Sequence, residues 1–259
     1  MRDKLHVLLL GRPGAGKSTL AAQFDKPMLV ALCDPPGKEQ PYLDRGEAGP
    51  IKKGEHCYYR EVFSKKEPDK LIIRIEFWGE SNPASPSAYA HWMARFANIE
   101  REITELGWQT LVLDTATYFE LSARYYSAGY LNRDAKDGRQ HYAFATNACE
   151  QYIMMRWPNL LMANTLVLAH IDDQKDEAEG PEGGVVVRKM AALPGKLPNR
   201  LPGGFGEVWR VYVDTDGSRR IQTAQRPTNT YDCKSLVGFA DGQQAYIELL
   251  WKEREERGK

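Results

Sequence analysis

The stretch that decides the fold is Gly11-Arg12-Pro13-Gly14-Ala15-Gly16-Lys17-Ser18-Thr19. It fits the phosphate-binding pattern G-x-x-x-x-G-K-[ST] at every fixed position. Its glycines lack a Cβ atom, so the backbone is free to turn successive N–H groups toward a polyphosphate. Lys17 is expected to reach the β- and γ-phosphates, and the Ser18 hydroxyl is expected to bind Mg²⁺. These nine residues therefore predict a site for a nucleoside triphosphate with Mg²⁺.

The residues on either side of this loop support the interpretation. His6-Val7-Leu8-Leu9-Leu10 is an apolar run typical of a parallel strand buried on both faces, and residues 18–24 favour a helix. A second apolar run over residues 28–33 predicts another buried strand. The order strand, phosphate loop, helix, strand predicts a three-layer α/β P-loop NTPase fold with a mostly parallel central sheet.

Composition and charge set the broad class of protein. The chain has 259 residues, with 35 Lys and Arg against 35 Asp and Glu, so binding to nucleic acid requires a local basic patch or an assembly. We expect a single domain over residues 1–259. No apolar run reaches the length of a membrane span, which favours a cytoplasmic protein without membrane contact. The cysteines are scattered without C-x-x-C spacing, so we expect reduced thiols at Cys33, Cys57, Cys149 and Cys233.

Polar residues follow three of the predicted strands. Because ligands of open α/β sheets bind beyond the carboxyl ends of strands, these residues are expected beside the phosphate loop. Asp34 is a candidate to orient or deprotonate the attacking water, or else it caps a turn, with Glu39 as the reserve candidate. His170 either senses the γ-phosphate or is a turn residue.

The third of these polar residues is Asp114, which ends an apolar run. Leu111-Val112-Leu113-Asp114 is an apolar run ending in Asp, about a hundred residues after the phosphate loop. Asp114 is expected to hold Mg²⁺ through its water shell, and Thr115 to lie near the water that attacks the γ-phosphate. Ser18 and Asp114 are therefore the predicted metal ligands.

The remaining segments are predicted from turn residues and apolar periodicity. They are a loop over residues 38–56, a peripheral β-hairpin insertion over 57–78, a mobile loop over 172–206, a terminal hairpin over 208–224 and a helix over 242–259. From Arg188 to Lys234 basic residues outnumber acidic ones. This excess marks either a polyanion-binding face or an ordinary solvated face.

The succession of these features resembles the RecA-type ATPase core over roughly residues 5–235. More narrowly, it is similar to the short phage-encoded RecA-like ATPases, some of which are single-strand annealing recombinases. The resemblance implies ATP and Mg²⁺ as cofactors and the catalytic residues Lys17, Asp34, Asp114, His170 and Arg226. The family more often has Glu at the position of Asp34. Arg226 matches a basic residue that is presented to a neighbouring subunit's nucleotide, which implies a filament or ring.

The resemblance also implies partners. In RecA relatives the loop after the sensor strand binds single-stranded DNA, which assigns phosphate contacts to Arg188, Lys189, Lys196 and Arg200. A single-strand binding protein is a further implied partner. We therefore expect an ATP-hydrolysing protein of single-stranded DNA recombination or annealing. Two alternatives stay open: a nucleotide-switched assembly or packaging factor with a protein partner, and a small-molecule kinase using the same loop. ATP is favoured over GTP only by the resemblance, since the chain has no N-K-x-D motif.

Overall fold

A computed structural model describes residues 4–160, 162–179, 185–225 and 233–257. Among these residues one eleven-stranded sheet forms, and a separate antiparallel pair. The strands are β1 (His6–Leu10), β2 (Met28–Leu32), β3 (Glu47–Lys53), β4 (Tyr58–Phe63), β5 (Leu71–Phe77), β6 (Thr110–Asp114), β7 (Asn164–Ala169), the separate pair β8 (Ile171–Glu179) and β9 (Val185–Ala191), then β10 (Glu207–Val213), β11 (Arg219–Gln222), β12 (Lys234–Ser235) and β13 (Gln243–Gln244).

The helices follow the same chain order. They are α1 (Lys17–Ala21), α2 (Gln40–Leu43), α3 (Ala88–Phe96), α4 (Ile99–Leu106), α5 (Ala116–Tyr126), α6 (Arg139–Cys149), α7 (Leu197–Arg200) and α8 (Ile247–Arg257). π-Helical segments at Ser127–Leu131 and Glu150–Arg156 extend α5 and α6, and a 3₁₀ turn at Leu201–Gly204 follows α7. None of the described helices is long and apolar enough to cross a membrane.

The centre of the sheet is parallel and apolar on both faces. Strands β10, β1, β7, β6, β2 and β5 pair in that order, all parallel. Along β1, Leu8 and Leu10 join the apolar cluster with α3 to α6, while Val7 and Leu9 join the cluster with α1 and α8. Alternate residues of a strand point to opposite faces, so an unbroken apolar run places a helical layer on each side. The predicted three-layer α/β class is confirmed.

The prediction of a peripheral insertion over residues 57–78 is wrong in one respect. β4 and β5 do form an antiparallel hairpin, but β5 also pairs in parallel with β2 and so belongs to the central sheet. The alternating charges Arg74 and Glu76 made this run look half-exposed. Glu76 is instead buried against Arg95, so the charged face of β5 is covered. Residues 38–56, predicted as a loop, contain α2 and the edge strand β3.

Residues 172–206, predicted as a mobile loop, contain several elements of secondary structure where they are described. β8 begins one residue after His170 and pairs with β9, and α7 follows. This hairpin lies outside the large sheet, so its strands lack the apolar periodicity that marks core strands. The predicted terminal hairpin is present as β10 and β11. The last helix begins at Ile247, later than predicted, because residues 243–244 pair with β11.

Candidate nucleotide-binding site

The phosphate loop joins β1 to α1, and its glycines are required by its shape. Gly14 and Gly16 have φ angles of 78° and 100°, in the left-handed region that glycine adopts without strain. At Gly11, a Cβ atom would lie 2.7 Å from the carbonyl oxygen of Val211 on β10. The three glycines of the loop therefore each meet a backbone or packing constraint in this fold.

A cavity of about 400 Å³ opens beside this loop at the carboxyl ends of β1, β2, β6 and β7. It brings together four of the five predicted catalytic residues and most of the phosphate loop, and adds others from the loop after β2, from α2, from α5 and from β11. Its lining consists of Pro13, Gly14, Gly16, Lys17, Ser18, Thr19, Asp34, Gly37, Lys38, Pro41, Asp114, Thr115, Tyr118, His170 and Arg219. The rule that polar residues at strand ends converge on one crevice holds here for Asp34, Asp114 and His170.

The two predicted metal ligands are in contact. The Ser18 hydroxyl donates a hydrogen bond of 2.7 Å to Oδ2 of Asp114, whose side chain is buried at the end of β6. Hydroxyl and carboxylate oxygens suit Mg²⁺, which proteins commonly bind through one or two such groups together with substrate phosphates. No cluster of three or more His, Cys, Asp or Glu side chains suited to a metal occurs in the described part of the chain. The pair Ser18 and Asp114 fits a Mg²⁺ that is shared with a nucleotide.

Sequence reasoning missed Tyr42, which contacts the same carboxylate. Its hydroxyl donates 2.8 Å to Oδ2 of Asp114, and the side chain is fully buried on α2. Burial and the neighbouring charge of Asp34 raise the pKa of Asp114 to about 6, against the hydrogen bonds from Ser18 and Tyr42. Tyr42 lies 72 residues before Asp114, inside a segment predicted as a loop, and no local pattern points to it.

The variant Tyr42→Phe is expected to lower the free energy of unfolding by about 1–2 kcal/mol, since it removes a buried hydrogen bond to a charged group. Urea unfolding followed by fluorescence measures this change in metal-free buffer. Tyr58→Phe is the matched control, because Tyr58 is 57% exposed on β4 and should change stability by less than about 0.5 kcal/mol. Equal stability of the two variants would contradict the assigned role of Tyr42.

Asp34 reaches the cavity and the reserve candidate does not. Oδ1 of Asp34 accepts a hydrogen bond of 2.9 Å from the Thr115 hydroxyl. The carboxylate of Glu39 instead accepts from the backbone N–H of Gly37 at 2.8 Å and is absent from the cavity lining. Between the two acids, the geometry therefore favours Asp34 as the group placed to act on water.

Lys17 is held between the loop and His170. Its Nζ donates to the carbonyl oxygens of Gly11 at 2.8 Å and Arg12 at 3.2 Å, and lies 3.2 Å from Nδ1 of His170. Burial lowers the pKa of Lys17 to about 8, while the charges of Asp114 and Asp34 oppose this shift. Burial and the Lys17 ammonium lower the pKa of His170, which favours a neutral ring whose Nδ1 accepts a hydrogen bond from Lys17. His170 occupies this position because β7 lies between β1 and β6.

The structure describes the predicted DNA-binding residues only in part. Arg188 and Lys189 are on β9, Lys196 is exposed just before α7, and Arg200 pairs with Glu150. Neither Lys196 nor Arg200 is among the residues that line the cavity. Arg226 lies outside the described residues.

A parallel sheet whose carboxyl edge carries a phosphate loop, a serine–aspartate pair and a second carboxylate is the arrangement of P-loop ATPases of the RecA/AAA-like type. The chain belongs to the AAA_24 family, described as an AAA domain, whose family model matches residues 3–235. No curated protein matches the chain.

Two solved structures are similar to the chain at low sequence identity. One is a KaiC-like protein from the hyperthermophilic archaeon Pyrococcus horikoshii OT3, with 13% identity, a TM-score of 0.41 and coverage of 90% of this chain and 84% of that chain. The other is an ATPase from the type III secretion system of pathogenic bacteria, with 12% identity, a TM-score of 0.45 and coverage of 81% of this chain and 52% of that chain.

Proposed function

We propose that the protein binds ATP with Mg²⁺, hydrolyses it by in-line attack of water, and couples its nucleotide state to single-stranded DNA in recombination or annealing of the phage-encoded type. The observation that carries the ATPase part is the hydrogen bond of 2.7 Å between Ser18 and Asp114, in the same cavity as Lys17. A hydroxyl and a carboxylate fixed beside a phosphate loop are the groups that hold Mg²⁺ in phosphoryl transfer.

Each side chain has a role that its contacts support. Lys17 exchanges its carbonyl partners for the β- and γ-phosphates, and its ammonium stabilises the charge that develops there. Ser18 and Asp114 hold Mg²⁺, which when bound neutralises phosphate charge. The Thr115 hydroxyl fixes Oδ1 of Asp34, and Oδ2 is the oxygen that we assign to orienting and deprotonating the attacking water.

The coupling to DNA is proposed to run through His170. Nδ1 of His170 contacts Lys17, and the His170 carbonyl oxygen accepts a hydrogen bond of 2.8 Å from the N–H of Ala192 at the base of the β8–β9 hairpin. A γ-phosphate that draws Lys17 away from His170 would change the position of His170 and, with it, the start of the β8–β9 hairpin. Single-stranded DNA would then contact Arg188, Lys189, Lys196 and Arg200. The trans role of Arg226 in a filament or ring stays a prediction, as does a single-strand binding protein as partner.

The test is ATP hydrolysis by the purified protein with and without single-stranded DNA, at low and high salt. We expect DNA to raise the rate, and the stimulation to fade with salt because phosphate contacts release counterions. Lys17→Ala should abolish hydrolysis. The double variant Arg188→Ala/Lys189→Ala should lose stimulation by DNA, whereas Lys65→Ala/Lys66→Ala, which removes two adjacent charges from the exposed β4–β5 turn, should keep it.

Other outcomes would redirect the proposal. If ATP is hydrolysed but DNA neither binds nor changes the rate, the recombination role fails. A nucleotide-switched assembly factor with a protein partner would then be favoured, in keeping with the formal net charge of zero. Phosphate transfer to a small molecule without net hydrolysis would indicate a kinase.

A further inference from the structure

Arg219 lies against the phosphate loop although no sequence pattern marked it. It is the first residue of β11, and its side chain lines the same cavity as Lys17. A Cβ atom at Gly16 would lie only 2.5 Å from Cδ and 2.8 Å from Nε of Arg219. The arginine side chain therefore lies directly against Gly16 of the loop.

The backbone around Arg219 is fixed from both sides. In β11, Arg219 is the partner of Val213 on β10, and its carbonyl oxygen accepts a hydrogen bond of 2.9 Å from the N–H of Ala245. β10 in turn pairs in parallel with β1, the strand that enters the phosphate loop. The position of Arg219 relative to the loop is thus set by the sheet, whereas Lys38, another cation of the lining, lies on the loop after β2.

Arg220, the next residue of β11, differs from Arg219 in its direction and in its partners. Successive residues of a strand point to opposite faces, and Arg220 points away from the cavity. Its guanidinium is paired with Asp214 at 2.8 Å and Asp216 at 3.4 Å. Within the described ranges, the Arg219 guanidinium has neither a hydrogen bond nor an ion pair. The charge of Arg220 is therefore paired with two aspartates of the turn. The guanidinium of Arg219, in contrast, lines the cavity without such a partner among the described residues.

We propose that Arg219 binds the phosphate chain of the nucleotide that occupies the phosphate loop of its own chain. The inference rests on the proposed function and adds a ligand to it. Guanidinium groups bind phosphate oxygens through charge-assisted hydrogen bonds in a planar fork geometry. Arg219 reaches the site within one chain, in contrast to the trans role predicted for Arg226. It is a binding residue here, and no proton or phosphoryl group passes through it.

The experiment measures the dissociation constants of ATP, ADP and adenosine, each with Mg²⁺, for the wild type and three variants. Arg219→Ala should weaken ATP binding roughly tenfold to a hundredfold, as expected for the loss of a hydrogen-bonded charge. Adenosine binding should stay unchanged, and the loss for ATP should shrink in high salt. Arg220→Ala is the matched control and should bind ATP like the wild type. Lys17→Ala should bind ATP weakly.

The outcomes separate this inference from the proposed function. One outcome is that the wild type binds ATP, that Lys17→Ala weakens binding and that Arg219→Ala does not. In that case Arg219 is not a ligand, and this inference fails while the proposed ATP binding stands. An equal loss for ATP and adenosine would place Arg219 on the base or ribose and would also overturn it. If the wild type does not bind ATP, the proposed function fails first. Arg219 is exposed, and equal thermal unfolding of both arginine variants checks that each is folded.

Discussion

Replacing Asp114 with asparagine is expected to slow ATP hydrolysis by at least about a hundredfold, while the metal-free protein gains about 1–3 kcal/mol of stability at pH 7. Hydrolysis falls because an amide replaces the negative oxygen assigned to Mg²⁺. Stability rises because burial and the charge of Asp34 raise the pKa of Asp114 to about 6, so the ionised carboxylate destabilises the folded state. The amide oxygen still accepts the hydrogen bonds of Ser18 and Tyr42.

The sign of the pH dependence follows from the raised pKa. The folded state binds the Asp114 proton more tightly than the unfolded state, so the penalty is complete above pH 6 and disappears as the pH falls toward 4. The stability advantage of Asp114→Asn should shrink over the same range. Single-turnover hydrolysis and urea unfolding in chelator measure the two effects. Asp69→Asn, in an exposed turn, is the control, and hydrolysis by Asp114→Asn at a rate near wild type would refute the assignment.

Replacing Arg95 with alanine is expected to lower the free energy of unfolding by about 3–5 kcal/mol, since it leaves the buried Glu76 carboxylate with only the half-buried Arg74 as a partner, at 3.4 Å. The Arg95 guanidinium binds Glu76 at 2.9 Å and Glu102 at 2.7 Å, and both Arg95 and Glu76 are buried. These contacts join β5 to α3 and α4. Loss of Arg95 would therefore weaken the attachment of the helical layer to this side of the sheet.

An exposed ion pair of the same type provides the control for Arg95. Arg101 and Glu105 pair at 3.6 Å on α4 with side chains that are 64% and 59% exposed, so Arg101→Ala should cost less than about 0.5 kcal/mol. Urea unfolding of both variants gives the comparison. A loss below about 1 kcal/mol for Arg95→Ala would show that the buried network contributes little net stability.

The parts of the site that the sequence predicts are those set by local rules. The glycines, Lys17 and Ser18 form a contiguous pattern, and the loop shape follows from backbone sterics within nine residues. Asp34, Asp114 and His170 each follow an apolar run, and parallel strands carry such residues to one edge of a sheet. The structure places these residues, apart from Gly11, around one cavity, and their chemical roles remain predictions.

The remaining site residues depend on long-range packing. Tyr42 meets Asp114 only because α2 folds back over β6, and Arg219 meets Gly16 only because β10 lies beside β1. Neither contact leaves a periodic or local signal in the sequence. The place of β5 in the central sheet is not predicted from the sequence for a related reason. Its charges Arg74 and Glu76 are typical of an exposed face, and the burial of Glu76 depends on Arg95, which lies on a different element.

The single residue between β7 and β8 has a mechanical consequence. His170 joins a strand of the rigid core to a strand of nine residues, which spans roughly 30 Å at about 3.3 Å per residue. The core end of this arm is anchored, since Ala192 also bonds to His170. A rotation of about 10° at His170 would therefore carry the far end of β8 through roughly 5 Å. If His170 rotates when Lys17 engages a phosphate, as proposed above, the hairpin would turn that small rotation into a much larger displacement at its far end.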